Sequence, residues 1–179
     1  MISRRRMLIS TGLAGSAALL SRSLLGAPSP AAKHIALTNL HTGEKLSVDY
    51  FRDDAYVPDA LSAIEMVLRD FRNNDKHPID PKLMDYLVDV AAQIGVPPAF
   101  SVISGYRSPE TNERLHERSS GVAQHSLHMQ GRAIDVRMSG VDCKDLATQA
   151  EQLKRGGVGY YRGSNFVHLD TGAFRTWRG

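Results

Sequence analysis

Cysteine is nearly absent: Cys143 is the one thiol in 179 residues. A single thiol cannot close an internal disulfide, so cross-linking is excluded as a source of stability. No charged histidine or reactive motif surrounds Cys143, and it reads as incidental, at the polar start of a helix. Excess positive charge is missing where it would matter. Lys and Arg number 22 against 19 Asp and Glu, but Arg4, Arg5, Arg6 and Arg22 lie in a first segment that holds no acid. Discounting those four leaves 18 basic against 19 acidic residues, a near-neutral remainder. That excludes a phosphate-gripping surface and argues for no nucleic-acid partner. Long hydrophobic runs are lacking as well: after residue 31 none approaches the length of a membrane span, so the mature chain is expected to have none.

What is present begins with a leader. Three arginines precede an apolar run from Met7 to Leu20 that is broken by Ser10, Thr11, Gly12, Gly15 and Ser16. The run is too short and too rich in Gly and Ser to span a bilayer. Paired arginines ahead of Met7-Leu8 match the twin-arginine export pattern. Residues 1–31 are therefore expected to be a twin-arginine signal peptide, with cleavage near Ala31 or Ala32 and a mature chain outside the cytoplasm. The length of the remainder, residues 32–179, suits one domain with a real core.

Along that domain the apolar period switches between two and three-to-four. His34–Leu40 and Lys45–Phe51 alternate around His41-Thr42-Gly43-Glu44, the pattern of a β-hairpin. From Asp59, Leu61, Ile64, Val67, Leu68 and Phe71 make one helical stripe, ended by Asn73-Asn74-Asp75. Asp80-Pro81 opens a second helix, and its stripe is Leu83, Tyr86, Leu87, Val90 and Ile94. Phe100–Ile103 is a buried strand. Ser108-Pro109-Glu110 caps a third helix, and 119–127 is a loop. Ala133–Met138 is a strand, Asp142–Arg155 a fourth helix, and residues 158–161 and 165–170 a last hairpin. The expected class is α+β, a mainly antiparallel sheet with helices packed on one side.

Three residues stand out chemically. Asp135 interrupts the apolar strand Ala133-Ile134-Val136-Met138, and a buried carboxylate needs either a cationic partner or a metal. Arg132 and Arg137 are the nearby partners for an ion pair. His128 precedes Gly131, and a glycine turn there would fold it back beside Asp135. His168 lies between Val167 and Leu169, where a histidine is usually a hydrogen-bonded core residue. Together the three form the His, Asp, His set that leaves a zinc ion one open position, as catalysis requires. Spacing alone leaves zinc and core packing both open.

The blocks Ser126-x-His128-x-x-Gly131-x-Ala133-x-Asp135, Leu40-His41-Thr42-Gly43-Glu44 and Ser104-Gly105-Tyr106-Arg107-Ser108 run in order along the chain. So do Ser119-x-Gly121-Val122-Ala123, Gly156-Gly157-Val158-Gly159-Tyr160-Tyr161 and Phe166-Val167-His168-Leu169-Asp170-Thr171-Gly172. This series resembles the twin-arginine-exported murein endopeptidases of the zinc D-Ala-D-Ala peptidase superfamily, which also holds the hedgehog signalling domain. The resemblance implies a hedgehog/D-Ala-D-Ala peptidase-like fold in the periplasm. It also implies Zn2+ on His128, Asp135 and His168, and hydrolysis of peptide cross-links between peptidoglycan stem peptides during cell-wall growth.

Arg107 matches an arginine associated with substrate in related carboxypeptidases, and a guanidinium suits a stem carboxylate. Its alternative is to tie down the 119–127 loop. Ser126 either meets the substrate backbone or orients a ligand. Asp170 shares a sheet face with His168, as proton-transferring base or as a partner that orients the imidazole. His125 is a further base candidate, while Glu113 and His116 read as solvated. Two other outcomes are a D,D-carboxypeptidase and a non-catalytic, zinc-containing cell-wall-binding module. A monomer is expected.

Overall fold

The computed structural model describes residues 32–119 and 121–179. The expected signal peptide, residues 1–31, lies outside them. The strands are β1 Lys33–Asn39, β2 Lys45–Arg52, β3 Ala55–Tyr56, β4 Ala99–Ser104, β5 Ala133–Arg137, β6 Gly157–Tyr161, β7 Phe166–Asp170 and β8 Arg175–Arg178. The helices are α1 Pro58–Val67, α2 Pro81–Ile94, α3 Pro109–Arg118 and α4 Cys143–Leu153, with a 3-10 turn at Leu127–Gln130. All eight strands form one sheet in the order β3-β2-β1-β4-β5-β7-β6-β8. The β1–β4 and β6–β8 pairs are parallel and the rest antiparallel, which is the mixed, mainly antiparallel α+β class expected.

One face of the sheet is apolar. Ile35, Leu37, Phe100, Val102, Ile134, Val136, Val167 and Leu169 point into a single core with Ile64, Leu83, Leu87, Val90 and Leu146 from α1, α2 and α4. Period-two alternation then sends Asp135, His168 and Asp170 to the opposite face. Helix α3 departs from the one-sided arrangement. Its buried side chains are Thr111 and Asn112, and it gives the apolar core nothing.

Two local rules held. Asp80 caps α2 by accepting from Lys82 N–H with Pro81 at the first position, and Ser108 caps α3 by accepting from Thr111 N–H. The first helix is shorter than its stripe predicts. It stops at Val67 because Asp70 turns inward: its carboxylate accepts from Arg72 N–H, Ser108 N–H and Ser108 Oγ–H. Leu68 remains in the core, but as a cap residue. Strands β3 and β8 go beyond the elements that the sequence pattern predicts.

Candidate metal centre

Three elements bring the predicted ligands together. Ser126 Oγ accepts from His128 N–H and caps the 3-10 turn that carries His128. Gly131 ends that turn at φ +64, and a Cβ there would collide with the Pro78 carbonyl oxygen, so the chain can fold back at this point only with glycine. Asp135 on β5 pairs directly with His168 on β7. The result is a triangle of buried atoms. His168 Nδ1 lies 2.9 Å from Asp135 Oδ1 and 3.2 Å from His128 Nε2, and the third side is 3.3 Å.

Hydrogen-bond partners fix the tautomers. His128 Nδ1 is 2.7 Å from the Gly105 carbonyl, which can only accept, so Nδ1 carries the hydrogen. His168 Nε2 is 3.0 Å from Asp170 Oδ2 and donates to it by the same reasoning. Both remaining imidazole nitrogens turn lone pairs toward a carboxylate oxygen. Three acceptors converging in a buried space require a cation. Burial disfavours charge on His168, yet the Asp135 and Asp170 carboxylates push its pKa up to about 9. Burial lowers the His128 pKa, against the opposing pull of Asp135. For Asp135 burial works the other way, but the two imidazoles hold its carboxyl well below the usual range. A proton on His168 supplies one positive charge, whereas a divalent metal would engage all three atoms at once. A tetrahedral ion with ligand bonds of about 2.0–2.2 Å needs donor atoms ~3.3–3.5 Å apart. The triangle is within a few tenths of an ångström of that, so the residues fit a zinc-type ion.

The triangle opens into a cleft of about 360 Å³. Arg107 lines it and is buried. Its Nη2 lies 3.9 Å from Asp135 Oδ2, and its Nη1 donates to Asn112 Oδ1 at 3.2 Å. Asn112 in turn donates to the carbonyls of Ala123 and Gln124, so Arg107 and the 119–127 loop are joined through α3. Arg107 Nε has no hydrogen-bond partner among the described residues. Neither Arg132 nor Arg137 pairs with Asp135, because Arg132 reaches Thr171 instead. Ser126 and His125 line the cleft, His125 exposed. Glu113 and His116 are exposed on α3, and His116 Nδ1–H donates to the Val122 carbonyl.

Asp170 is fully buried and does not reach the cleft. Its Oδ1 accepts from Gly157 N–H, Gly172 N–H and Arg175 Nη1, and its Oδ2 from His168 Nε2 and Arg175 Nη2. Burial opposes ionisation, but these donors hold its carboxyl well below the usual range. A carboxylate so engaged has no free lone pair for a proton. The geometry is that of a group orienting His168.

Sequence reasoning missed Arg175, Trp177, Tyr161 and Asn112. The available signals were the lone tryptophan and the Gly157-x-Gly159-x-Tyr161 spacing. Residues 27–177 match the family described as peptidoglycan L,D-endopeptidase MepK. The chain belongs to this family. Its members are metal-dependent peptidases, in keeping with the buried His, Asp, His cluster. The peptidoglycan L,D-endopeptidase MepK of Escherichia coli strain K12 is 39% identical over 177 residues, 97% of this chain and 96% of that one. The probable peptidoglycan L,D-endopeptidase MepK of Haemophilus influenzae is 38% identical over 178 residues, 98% and 96% of the two chains. No solved structure matches the chain.

Proposed function

We propose that this protein is a periplasmic, zinc-dependent murein endopeptidase that hydrolyses an L,D peptide bond in peptidoglycan cross-links. The observation that carries the reading is the triangle of His128 Nε2, Asp135 Oδ1 and His168 Nδ1, with its lone pairs inward and a cleft beside it. The L,D bond is suggested by the names of the relatives. Export of the chain by the twin-arginine route, with residues 1–31 as leader and 32–179 as the peptidase domain, is supported by Arg4-Arg5-Arg6 and by a first strand that starts at Lys33. Among the described residues no helix is long and apolar enough to cross a membrane. A hedgehog/D-Ala-D-Ala peptidase-like fold is supported by ligands on adjacent antiparallel strands, and we take the working unit to be a monomer.

Within this reading His128, Asp135 and His168 hold the ion. When bound, zinc supplies Lewis-acid polarisation of the amide carbonyl and activation of water. Arg107 lines the cleft, where its guanidinium suits a stem carboxylate. Ser126 positions His128 through the turn that it caps, and it lines the cleft where substrate would lie. Asp170 fixes the His168 tautomer and ring, and Arg175 holds Asp170 in turn.

Asp135 is the only carboxylate lining the cleft among the described residues, and this favours one second reading, a non-catalytic cell-wall-binding module. Digestion of purified sacculi separates the two. The zinc-loaded protein should release fragments whose masses show cleavage of diaminopimelate–diaminopimelate links. Binding to sacculi with no release, beside an active control enzyme, would leave the binding module. Loss of a terminal D-Ala alone would mean a D,D-carboxypeptidase.

A further inference from the structure

The cleft contains a second device, built by β6 and β8, that metal ligation does not use. Gly157, Gly159 and Tyr161 alternate onto the cleft face of β6. The parallel partner β8 sets Arg175 opposite Gly157 and Trp177 opposite Gly159. A Cβ at Gly159 would collide with the Trp177 indole, so the missing side chain is what lets the indole lie across β6. From there Trp177 Nε1–H donates to Tyr161 Oη at 2.9 Å, with the indole centroid 5.2 Å from that of His168. The Tyr161 ring also stacks on Phe166 at 4.5 Å between centroids. The phenol is therefore held by a stacked ring and by a hydrogen bond to its oxygen.

A phenolic oxygen has one hydrogen to give and lone pairs to receive. In Tyr161 the indole N–H occupies the oxygen as an acceptor, and among the described residues nothing accepts the phenolic hydrogen. Tyr161 lines the same cleft as Asp135 and His168. Of the guanidinium groups there, Arg175 is bound to Asp170 and Arg107 donates from Nη1 to Asn112, and both carry a fixed charge, unlike the phenol. A neutral, rigid donor with a free hydrogen suits an oxygen that gains negative charge only during reaction, since it needs no reorganisation at that moment.

We infer that Tyr161 donates a hydrogen bond to the carbonyl oxygen of the scissile amide as it becomes tetrahedral, and that Trp177 is the positioning residue that aims it. This rests on the endopeptidase reading. The Trp177 N–H occupies a lone pair of the phenol oxygen and polarises its O–H.

The test uses the zinc-loaded full domain and a soluble cross-linked muropeptide. Tyr161→Phe should lower kcat about 100-fold, the usual effect of deleting one oxyanion donor, and leave KM within about 3-fold. Metal stoichiometry and Tm should match wild type. A tetrahedral phosphinate analogue of the cross-link should bind the variant about 100-fold more weakly, with product peptide binding unchanged. Trp177→Phe keeps a ring over Gly159 without the N–H and should lower kcat about 10-fold. The double variant should be no slower than Tyr161→Phe alone, because Trp177 acts through Tyr161. A Tyr161→Phe enzyme as fast as an active wild type overturns this inference alone. So does one that loses metal or Tm, which would make Tyr161 structural, or a Trp177→Phe effect that persists in the Tyr161→Phe background. A silent wild type overturns the endopeptidase reading, and this inference with it.

Discussion

Asp70 and Asp135 are both buried carboxylates, and their neighbours differ in kind. Asp70, at 0% exposure, is met by donors: Arg72 N–H, Ser108 N–H and Ser108 Oγ–H. Asp135, at 7%, faces two imidazole nitrogens whose hydrogens are committed to Gly105 and Asp170, and the nearest guanidinium nitrogen, Arg107 Nη2, stands at 3.9 Å, outside hydrogen-bond reach. The first carboxylate is complete within the protein. The second is complete only with a cation. Burial of a charged group thus marks function here when its neighbours are acceptors, and architecture when they are donors.

The sharpest way to break that contrast is to remove each carboxylate in turn. Asp135→Ala should abolish bound metal and reduce cross-link hydrolysis below about a thousandth of wild type, as loss of an essential catalytic ligand does. Chelation of the wild type should do the same, with zinc restoring activity and raising Tm by linkage. In chelator, Asp135→Ala should lose the pairing of Asp135 with a protonated His168 but less stability than Asp70→Ala loses. A variant that still binds one zinc per chain would remove Asp135 from the ligand set.

Asp70→Ala should behave in the opposite way. It leaves Ser108 N–H and Arg72 N–H without their acceptor, a loss of roughly 3 kcal/mol. In a domain of this size that is a fall in Tm of about 10 °C. Metal stoichiometry at low temperature should be retained, because none of the ligands touches Asp70. Arg107 adjoins Ser108, so a rise in KM without loss of metal is the expected kinetic trace. Urea melts with and without chelator measure both effects, and an equal loss for the Asp70 and Asp135 variants in chelator would erase the distinction.

Much of the site was legible from local chemistry, and the illegible part has a common cause. His128, Asp135 and His168 were each anomalous where they stood, a polar group in an apolar strand or before a turn glycine. Asp80-Pro81 and Ser108-Pro109 announced their helices because capping is local. Strand β8 announced nothing: Arg175-Thr176-Trp177-Arg178 has no apolar alternation, and its place depends on vacancies at Gly157 and Gly159 in another strand. Asp70 was hidden inside an apolar stripe that suggested a longer helix, and its donors lie mainly 38 residues away at Ser108. Our reading of Asp170 as an orienting partner and not a base rests on Arg175, which only the sheet order brings near. Pairing across strands carries no period along one strand.

The smallest expected effect tests whether Asp70 acts through its charge. Burial alone would raise its pKa, but the hydrogen bonds from Thr111, Ser108 and Arg72 prevail and lower it below the unfolded value of about 3.9. The folded state therefore binds this proton more weakly than the unfolded state does. Its contribution to stability is whole above pH ~4 to 5 and is lost as pH falls through the folded-state pKa. Asp70→Asn has no such proton, and its amide still offers one acceptor oxygen. In chelator, the stability gap between wild type and Asp70→Asn should stay constant from neutral pH to about pH 5 and then narrow as the carboxylate of the wild type is protonated. Urea unfolding at stepped pH values measures that gap directly. A gap that stays unchanged down to about pH 2 would assign the role of Asp70 to the shape and hydrogen bonding of a neutral side chain, and the contrast with Asp135 would then rest on geometry alone.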